Sequence, residues 1–415
     1  MKKTFLLSLF TLLTILIFSY PYTFTDDSGN VIKVDKPFKR IITLYSGYTE
    51  NIFYMNAQDS LIAVSTSEAF PPKARNLPAI SYKEDVEKFI SLNPDLVLIH
   101  PMMVRRYGDL VEKLEAFGIT VVSLQPETFD DVFPYWEKLG ILTGRIDESK
   151  ALIKEFELNV NSMPKLEQKD FKTIFFESMH KNFKTRTDGS IVDFVLQKSG
   201  LINIGSEENP LFNGSSVAEF SKEQLIENGD KIEYYIAQKG SVNKISKDII
   251  KNESGFNAIK AVRNDNIIII DQKIISRPTP RVYYSIVEFY KLIHNDYLTS
   301  NHYLYNDEKV SKISFSTITI DFLMIPFKTP EYFKKEINKD GHLFGDFSDI
   351  NYRDIQHLYA ETAFYNDIVD SKSNKFEPNS ILSSNDINSY LSRILNETVN
   401  ENIVTNKDLI DFLRK

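Results

Sequence analysis

The sequence predicts an α/β protein: two Rossmann-like lobes joined by one long helix, followed by a mainly α-helical C-terminal appendage. Three observations support this prediction. A strongly amphipathic helix is predicted over residues 147–163, similar blocks of alternating strands and helices lie on both sides of it, and the alternation stops after residue 298. Strands separated by helices are typical of parallel sheets that helices cover on both faces.

Composition limits the function classes. The chain has 415 residues, of which 42% are hydrophobic, and this length accommodates two or three domains. The net charge of −8 does not favour a nucleic-acid surface. There is no cysteine, which excludes disulfides, thiolate metal sites, cysteine nucleophiles and a lipidated N-terminal cysteine within this sequence.

Residues 1–20 have the character of a secretory signal peptide. Lys2 and Lys3 precede an uncharged, mainly apolar run over residues 5–18, which is shorter than the roughly 20 residues of a spanning helix. Residues 18–20 do not form a small-x-small cleavage site, so an uncleaved membrane tether is one alternative and a buried core helix is another. We expect export to the periplasm.

Residues 21–127 are predicted to form the N-terminal α/β lobe. A hairpin turns at residues 26–30, where Gly29 supplies the positive φ that such a turn needs. Apolar runs that predict buried strands alternate with amphipathic segments that predict helices. The strands are predicted at residues 40–44, 61–65, 95–99 and 120–124, and the helices at 84–92 and 104–117.

Residues 128–166 are predicted to be linking helices. Thr128 and Asp131 have the spacing of a helix cap. Further on, Leu152, Phe156 and Val160 recur every fourth residue and mark one apolar helix face. Asp147 is the predicted N-cap of this helix and Pro164 ends it. At about 1.5 Å per residue the helix is roughly 25 Å long, enough to act as a strut between two lobes.

Residues 167–298 are predicted to repeat the plan as a C-terminal α/β lobe. Strands are predicted at 172–178, 232–238 and 267–271, and helices at 190–198, 222–228 and 281–298. Two segments have a similar sequence pattern, because Glu87 and Glu223 each lie near the start of a predicted helix that leads into a strand. Coincidence between two ordinary helix–strand units is the alternative.

Residues 299–415 change in character, with more Asn, Asp, Ser and Tyr. Helices are predicted at 354–369 and 386–395, and strand-like alternation remains only at 313–320. The sequence assigns this helical appendage no role. We therefore expect a chain that ends near Leu298 to fold and bind ligand as the full chain does.

Ligands of open parallel sheets bind beyond the carboxyl ends of the strands. The residues that follow the predicted strands are mainly aromatic, thioether or cationic, which suits a bulky, flat anion. The ligand-binding candidates among them are Tyr45, Ser46, Tyr48, Ser67, Phe70, His100, Arg105, Arg106, His180, Phe183, Lys273 and Arg277.

Each candidate also has an ordinary structural explanation. Loop arginines are mostly solvated, and His100 is as well placed to hydrogen-bond backbone as to ligate a metal. The histidines show no metal-ligand spacing, so we predict no metal site. The cleft loops contain no nucleophile with a base, no Gly-x-Ser-x-Gly and no phosphate-binding glycine loop. We predict a binding protein with no catalytic residues.

Residues 24–298 resemble the substrate-binding proteins of bacterial ABC importers for iron complexes, haem and vitamin B12. The matching segments include KRIITLYSGYTENIFYM, DVEKFISLNPDLVLIH and FSKEQLIENGDKIEYYIA. The resemblance implies two lobes on one rigid helix, with the ligand between them. It implies that Arg277 faces the cleft and that Glu87 and Glu223 dock onto arginines of the two transmembrane subunits.

In two respects the sequence departs from the family pattern, and these departures bear on its location and on the range of possible ligands. Many members carry a lipidated cysteine, which is missing here. In the vitamin B12-binding protein, tryptophans line the cleft; the matching positions are His100, Tyr82 and Val217, which adds Tyr82 to the candidates. The resemblance thus favours a monomer that delivers an iron–siderophore-type chelate to an importer, without a resident cofactor. The alternatives are a haem- or cobalamin-binding protein of the same fold, a chelatase-like enzyme, and a surface scaffold protein.

Overall fold

The structure is a computed structural model that describes residues 20–68, 70–212, 215–300, 302–328, 338–339, 342–343, 347–371 and 375–415. The predicted signal peptide lies outside these ranges except for Tyr20. The Tyr20 ring packs edge-on against Tyr22 at 5.1 Å, and its hydroxyl donates to the Ile141 carbonyl at 2.6 Å. Within the described ranges, no helix is both long enough and apolar enough to cross a membrane.

The N-terminal lobe is built on a five-stranded parallel sheet in the order β5-β4-β3-β6-β7. The predicted hairpin is confirmed, with Gly29 at φ +90° in its turn. The elements of the N-terminal lobe are β1 (Tyr22–Thr25), β2 (Val31–Val34), β3 (Ile41–Thr43), α1 (Ser46–Tyr54), β4 (Leu61–Ser65), β5 (Ala79–Ile80), α2 (Val86–Ser91), β6 (Leu96–Ile99), α3 (Pro101–Arg106), α4 (Gly108–Ala116) and β7 (Thr120–Ser123).

The single helix predicted over residues 104–117 is wrong. The chain forms α3 and α4 instead, because Tyr107 between them has a non-helical backbone with φ −126° and ψ 43°. His100 is the N-cap of α3, so this short helix starts directly at the carboxyl end of β6.

The linking segment contains α5 (Val132–Thr143) and α6 (Ile146–Asn161). Its predicted apolar face is confirmed, since Leu152, Phe156 and Val160 are buried. The predicted N-cap is wrong: Arg145 occupies that position, and Asp147 lies in the first turn, where the helix dipole still favours a carboxylate.

The C-terminal lobe is built on a four-stranded parallel sheet in the order β10-β8-β12-β13. Its elements are β8 (Lys172–Glu177), β9 (Lys184–Arg186), α7 (Ile191–Lys198), β10 (Leu201–Asn203), β11 (Val217–Glu219), α8 (Lys222–Glu227), β12 (Tyr234–Lys239), α9 (Lys247–Lys251), α10 (Lys260–Arg263), β13 (Ile267–Asp271), α11 (Gln272–Ile275), α12 (Val282–Ile293) and α13 (Asn295–Ser300). The long helix predicted over residues 281–298 is interrupted at His294, where φ is −118° and ψ is 38°.

The two lobes share one topology. In both sheets four strands have the same arrangement: the first (β3 or β8) lies between β4 or β10 on one side and β6 or β12 on the other, and β7 or β13 follows outside. The N-terminal sheet adds β5 at the opposite edge. The helix α2 leads into β6, and α8 leads into β12. The two similar sequence segments around Glu87 and Glu223 therefore occupy equivalent positions in the two lobes.

In its described residues the C-terminal appendage (residues 299–415) is mainly helical and has an apolar core of its own, to which Phe315, Ile318, Phe376, Leu391 and Leu409 belong. Its elements are α14 (Lys312–Phe322), β14 (Asn338–Lys339), β15 (His342–Leu343), α15 (Ile355–Tyr365), α16 (Ser384–Leu395) and α17 (Asn406–Leu413).

The strand-like interpretation of residues 313–320 is wrong. These residues form α14, which a reciprocal cap between Ser311 and Ser314 starts. Residues 312–321 are buried on every side of the helix, so the pattern has no exposed polar face to reveal its period.

Candidate functional site

The loops at the carboxyl ends of the two sheets line a narrow space between the lobes. A cavity of about 40 Å³ lies there, far smaller than the roughly 300–1,000 Å³ of sites that hold small molecules. Its lining consists of Gln125, Pro126 and Glu127 from the N-terminal lobe and Arg186, Ser190, Ile191, Val192, Ser216 and Ser276 from the C-terminal lobe.

A buried ion pair joins the lobes beside this space. Arg281, the N-cap of α12, donates from Nε and Nη2 to the two carboxylate oxygens of Glu50 at 2.5 and 2.9 Å. Glu50 is fully buried within α1 of the N-terminal lobe. Bidentate geometry of this kind gives the strongest ion pairs.

A second set of bonds crosses the same seam. The Pro278 carbonyl, in the loop before α12, accepts hydrogen bonds from Asn51 Nδ2 and Trp136 Nε1, both at 2.9 Å. Because Trp136 and Asn51 belong to the N-terminal side, the loop that carries Arg277 is held in place from across the cleft.

Arg277 lies at the edge of the ion pair. Its Nη1 is 3.8 Å from Glu50 Oε2, too far for a hydrogen bond, and it has no hydrogen-bond partner among the described residues although it is buried. Glu50 is already engaged by Arg281. Arg277 therefore keeps an unsatisfied donor and a charge that is only partly neutralised.

Arg186 is a second cation with an unsatisfied donor. Its Nη1 donates to Ser216 Oγ at 3.0 Å, while its Nε is buried without a partner among the described residues. Burial lowers the pKa of Arg186 to about 10, against an opposing effect of Tyr45, so it is charged at neutral pH. Burial raises the pKa of Tyr45, and the charges of Arg277 and Arg186 partly offset this rise, so Tyr45 is a neutral phenol within the electrostatic influence of both guanidinium groups.

The nearby acids do not cancel these charges. Glu68 is fully buried, and burial raises its pKa to about 8 although Arg277 and the Thr49 hydroxyl, 2.8 Å away, favour its charged form. Glu68 is thus mainly neutral at pH 7. Lys273 has its own acid, Asp271, at 2.8 Å. The described part of the cluster is left with Arg277 and Arg186 as cations in excess, an arrangement suited to an anion.

His100 lies close to Tyr45, with ring centroids 5.5 Å apart. Its Nδ1 accepts a hydrogen bond from the Met102 amide at 3.1 Å, which places the ring proton on Nε2. Burial, followed by the charge of Arg105, lowers the pKa of His100 to about 4. To ligate a metal through Nε2, the ring would have to give up this cap, so the geometry favours the backbone role that the sequence left open.

Three predicted ligand residues belong to the protein core. Tyr48 is completely buried, and its hydroxyl lies 2.5 Å from the Leu124 carbonyl. Phe70 is 4% exposed and packs under the Arg281 guanidinium at 4.2 Å. Ser46 is 1% exposed and donates to the Ser67 carbonyl at 3.1 Å, whereas Ser67 itself is exposed. The prediction that Tyr48, Phe70 and Ser46 face the cleft is therefore corrected, because sequence position after a strand does not fix side-chain direction.

Other candidates lie in two further places. Tyr82 and Arg106 line a separate outer pocket of about 350 Å³ beside the start of α2, where the Tyr82 and Tyr107 rings are 4.8 Å apart. Arg105 instead lies at the cleft rim. Its charge adds to the effect of burial in lowering the pKa of His100, and it partly offsets the rise that burial causes in the pKa of Glu127. We therefore no longer place Tyr82 and Arg106 in the cleft.

His180 and Phe183 form a cluster within the C-terminal lobe. His180 Nδ1 lies 2.9 Å from Glu177 Oε2 and its Nε2 lies 3.5 Å from Glu253, and the hydrogen bond to Glu177 is the main reason that its pKa is raised. The Phe183 ring packs against His180 and Phe256. The structure does not bring His180 and His100 together.

Arg186 is the site residue that sequence reasoning missed. It lies in the short strand β9, which pairs with β11, and not directly after a strand of the parallel sheet. Glu50 is not among the candidates selected from the sequence. Its burial in α1 and its contact across the lobes depend on a partner 231 positions away, which no local pattern signals.

The described residues contain no group of three or more acidic or histidine side chains that could hold a metal ion. The site instead offers arginine donors and a phenol, which suit the anionic ligand of a metal complex more than a bare ion.

The two predicted docking residues occupy matching positions. Glu87 is the second residue of α2 and Glu223 is the second residue of α8, and both side chains are exposed. The adjacent lysines have other partners: Lys88 pairs with Glu84 at 2.9 Å and Lys222 with Glu253 at 2.5 Å. The acidic charge at both helix starts is therefore not cancelled by its basic neighbour in sequence.

Comparisons with known proteins agree with this architecture. A family described as periplasmic binding protein matches residues 41–274, more than half of the chain. An uncharacterised ABC transporter substrate-binding lipoprotein of Bacillus subtilis, YvrC, is 22% identical over 67% of this chain and 87% of its own. A vitamin B12-binding protein of Vibrio campbellii is 25% identical over 66% and 94%. A possible iron-binding periplasmic solute-binding protein of Staphylococcus epidermidis has a similar structure, with a TM-score of 0.55 and 24% identity over 62% of this chain and all of that one.

Proposed function

We propose, from the premise that this chain belongs to the periplasmic binding protein family, that it captures an anionic iron chelate and delivers it to an ABC importer. The general role, a substrate-binding protein of an ABC importer, follows from the family. The ligand class and a periplasmic location are our proposals. The apolar run of residues 5–18 and the lipoprotein relative support export.

One observation supports the anionic ligand above all others. Arg277 and Arg186 each have a buried donor without a partner among the described residues. The charges of both arginines also partly offset the rise in the pKa of Tyr45 that burial causes. A buried donor left unsatisfied costs about 1–3 kcal/mol, and a carboxylate, hydroxamate or catecholate oxygen would recover that free energy. Cobalamin gives these guanidinium groups less to bind.

Haem is the alternative that the site supports less well. Its propionates could pair with the same arginines, and Tyr45 could approach its iron. His100, however, uses Nδ1 as a helix cap and carries its proton on the remaining nitrogen. The proposal is tested by the absorption spectrum of protein purified from its host: a broad visible charge-transfer band identifies a ferric chelate, and a Soret band would replace our proposal with haem.

We expect Arg277→Ala and Arg186→Ala each to weaken the binding of a ferric tris-catecholate by about 1.5–3 kcal/mol, the range for a hydrogen bond to a charged group. That loss is roughly 10- to 100-fold in Kd. The measurement is a titration followed by quenching of the emission of Trp136, the single tryptophan of the chain. Neither change breaks the ion pair between Arg281 and Glu50, so the fold should persist.

The matched control for these variants is Arg263→Ala, which removes an exposed arginine whose partner Asp230 is also exposed. It should leave the affinity unchanged. If Arg277→Ala and Arg186→Ala bind the chelate as tightly as the unmodified protein, while all variants melt at the same temperature, the cationic site is not where the ligand binds.

We propose that Glu87 and Glu223 dock the protein onto the two transmembrane subunits of the importer. The double change Glu87→Ala with Glu223→Ala should leave ligand affinity and melting temperature nearly unchanged, because both side chains are exposed. Binding to the reconstituted transporter should fall, and the difference from the unmodified protein should shrink at high salt, where charge pairs are screened.

A matched control replaces one exposed glutamate of each lobe outside these helix starts, Glu115→Ala with Glu227→Ala. This control should transport normally. Normal transport by the Glu87 and Glu223 double variant would show that neither residue docks the protein. Both would then serve only as first-turn acids, which the helix dipole stabilises by about 0.3–1 kcal/mol each.

A further inference from the structure

The C-terminal appendage touches both lobes through two consecutive residues, Tyr352 and Arg353. The Tyr352 ring packs edge-on against two rings of the N-terminal lobe, Phe70 at 5.7 Å and Phe53 at 6.4 Å. The Arg353 carbonyl accepts a hydrogen bond at 3.2 Å from Tyr284 of α12, in the C-terminal lobe. One short loop of the appendage therefore spans the seam between the lobes.

The side chain of Arg353 adds a contact to the N-terminal lobe. Its Nη1 donates to Asn56 Oδ1 at 3.2 Å, just beyond the end of α1. Thus α1, which carries Glu50, and α12, which starts at Arg281, are both bound by the same loop. These are the two helices that contribute the buried inter-lobe ion pair.

The contacts of Tyr352 lead directly to the candidate site. Phe70, against which Tyr352 packs, also lies under the Arg281 guanidinium at 4.2 Å. Arg281 holds Glu50, and Glu50 is the carboxylate nearest to Arg277. Phe70, the ring that Tyr352 packs against, is therefore connected to the unsatisfied Arg277 through three contacts, by way of Arg281 and Glu50.

A second point of attachment lies further along α12. The Phe327 amide donates to Glu288 at 3.2 Å, and the Phe327 ring lies 3.3 Å from Lys291 Nζ. Lys291 is completely buried and pairs with Glu288 at 2.8 Å. Burying a charged side chain costs free energy unless it is paired, and Lys291 and Glu288 satisfy this condition by pairing with each other beneath Phe327. The appendage therefore covers this pair.

We propose that the appendage is an inter-lobe clamp, in which Tyr352 is a positioning residue for the Glu50, Arg281 and Arg277 cluster. The clamp holds α1 and α12 together from outside the cleft. Its effect on ligand affinity rests on the proposed function, whereas its effect on the seam does not. The clamp contradicts the expectation that a chain ending near Leu298 would behave as the full chain does.

Amide hydrogen exchange of the full chain tests the clamp without any ligand. In Tyr352→Ala, exchange in α1 and in the first half of α12 should be faster by about tenfold, since the lost aromatic contacts hold those segments closed against local opening. Strand β7, which is outside the seam, should exchange as before. Tyr352→Phe keeps both ring contacts and loses only the long, 3.5 Å hydrogen bond from the Tyr352 hydroxyl to the Phe53 carbonyl, so it should stay close to the unmodified protein.

The matched control is Tyr305→Ala, which removes a tyrosine of the appendage that contacts Lys407, Asp411 and Arg414 of the appendage itself. It should leave exchange in α1 and α12 unchanged. If Tyr352→Ala accelerates exchange only within the appendage, Tyr352 merely packs its own region and the clamp is wrong.

A binding experiment connects the clamp to the site. With a ferric tris-catecholate as the probe, Tyr352→Ala should raise Kd several-fold, and the same change in an Arg277→Ala background should have little further effect, because residues of one network are not additive. Equal losses in both backgrounds would show that Tyr352 does not act through Arg277. If the unmodified protein does not bind the probe, the proposed ligand class fails, but the exchange experiment still decides the clamp.

Discussion

Arg281→Ala is expected to destabilise the protein by about 3–5 kcal/mol, the loss typical of removing one partner of a buried ion pair. Glu50 would remain fully buried in α1 without its two hydrogen bonds. Arg277, 3.8 Å away, is the nearest remaining cation and would compensate only in part. Because the pair joins the two lobes, its loss should weaken the whole seam and not one helix alone.

Chemical denaturation followed by far-UV circular dichroism measures this effect. The control Arg263→Ala breaks an exposed pair with Asp230 and should cost less than about 1 kcal/mol. Glu50→Gln combined with Arg281→Met removes both charges, and this double variant should be more stable than Arg281→Ala alone. If Arg281→Ala is no less stable than Arg263→Ala, the buried pair does not hold the lobes together.

Trp136→Ala is expected to cost about 3–5 kcal/mol, the range for truncating a large buried aromatic side chain. Trp136 is completely buried in α5 and packs against Phe133 and Phe156, with ring centroids 5.7 and 5.5 Å away. Its Nε1 also donates to the Pro278 carbonyl across the seam. The substitution therefore opens a cavity and removes an inter-lobe hydrogen bond.

Two variants separate these effects. In Trp136→Phe the hydrogen bond is lost, but Asn51 still donates to Pro278, so the carbonyl stays satisfied and the cost should be clearly smaller than for alanine. Phe117→Ala truncates an aromatic side chain that is 64% exposed and should change stability little. Circular dichroism must be used here, because Trp136 is the only tryptophan. Equal stability of Trp136→Ala and Phe117→Ala would contradict the role of the seam.

Helix and strand types were predictable where apolar residues recur with a helical period or form a short continuous run between turn residues. The apolar face of α6 and the continuous buried run of β6 follow directly from the periodicity of the sequence. Helix α14 was mistaken for a strand because it is buried all round, so its sequence lacks the polar face that distinguishes the two periods. The break at Tyr107 was missed because the apolar pattern continues across it, although the next residue, Gly108, has a low helix propensity.

For the candidate site, the sequence predicted the loops that line the cleft but not the direction of individual side chains. The rule that ligands lie beyond the carboxyl ends of parallel strands selected Tyr45, His100 and Arg277 from the sequence, and their contact with ligand stays a prediction. It could not separate Tyr45, which lies near the arginines, from Tyr48, which points into the core three residues later. Direction depends on how the helix α1 is rotated against the sheet, and this is set by packing.

The sequence by itself determined the two α/β lobes, the strut that joins them, the helical appendage and the cationic, aromatic character of the cleft loops, because local periodicity and residue chemistry encode these features. Only the tertiary structure decided which charges cancel. Glu50 meets Arg281, 231 positions away, while Arg277 and Arg186 keep unsatisfied donors. It also placed Tyr352 of the appendage 5.7 Å from Phe70 of the N-terminal lobe. Such pairings depend on distance in space and on burial, and neither is written in the order of neighbouring residues.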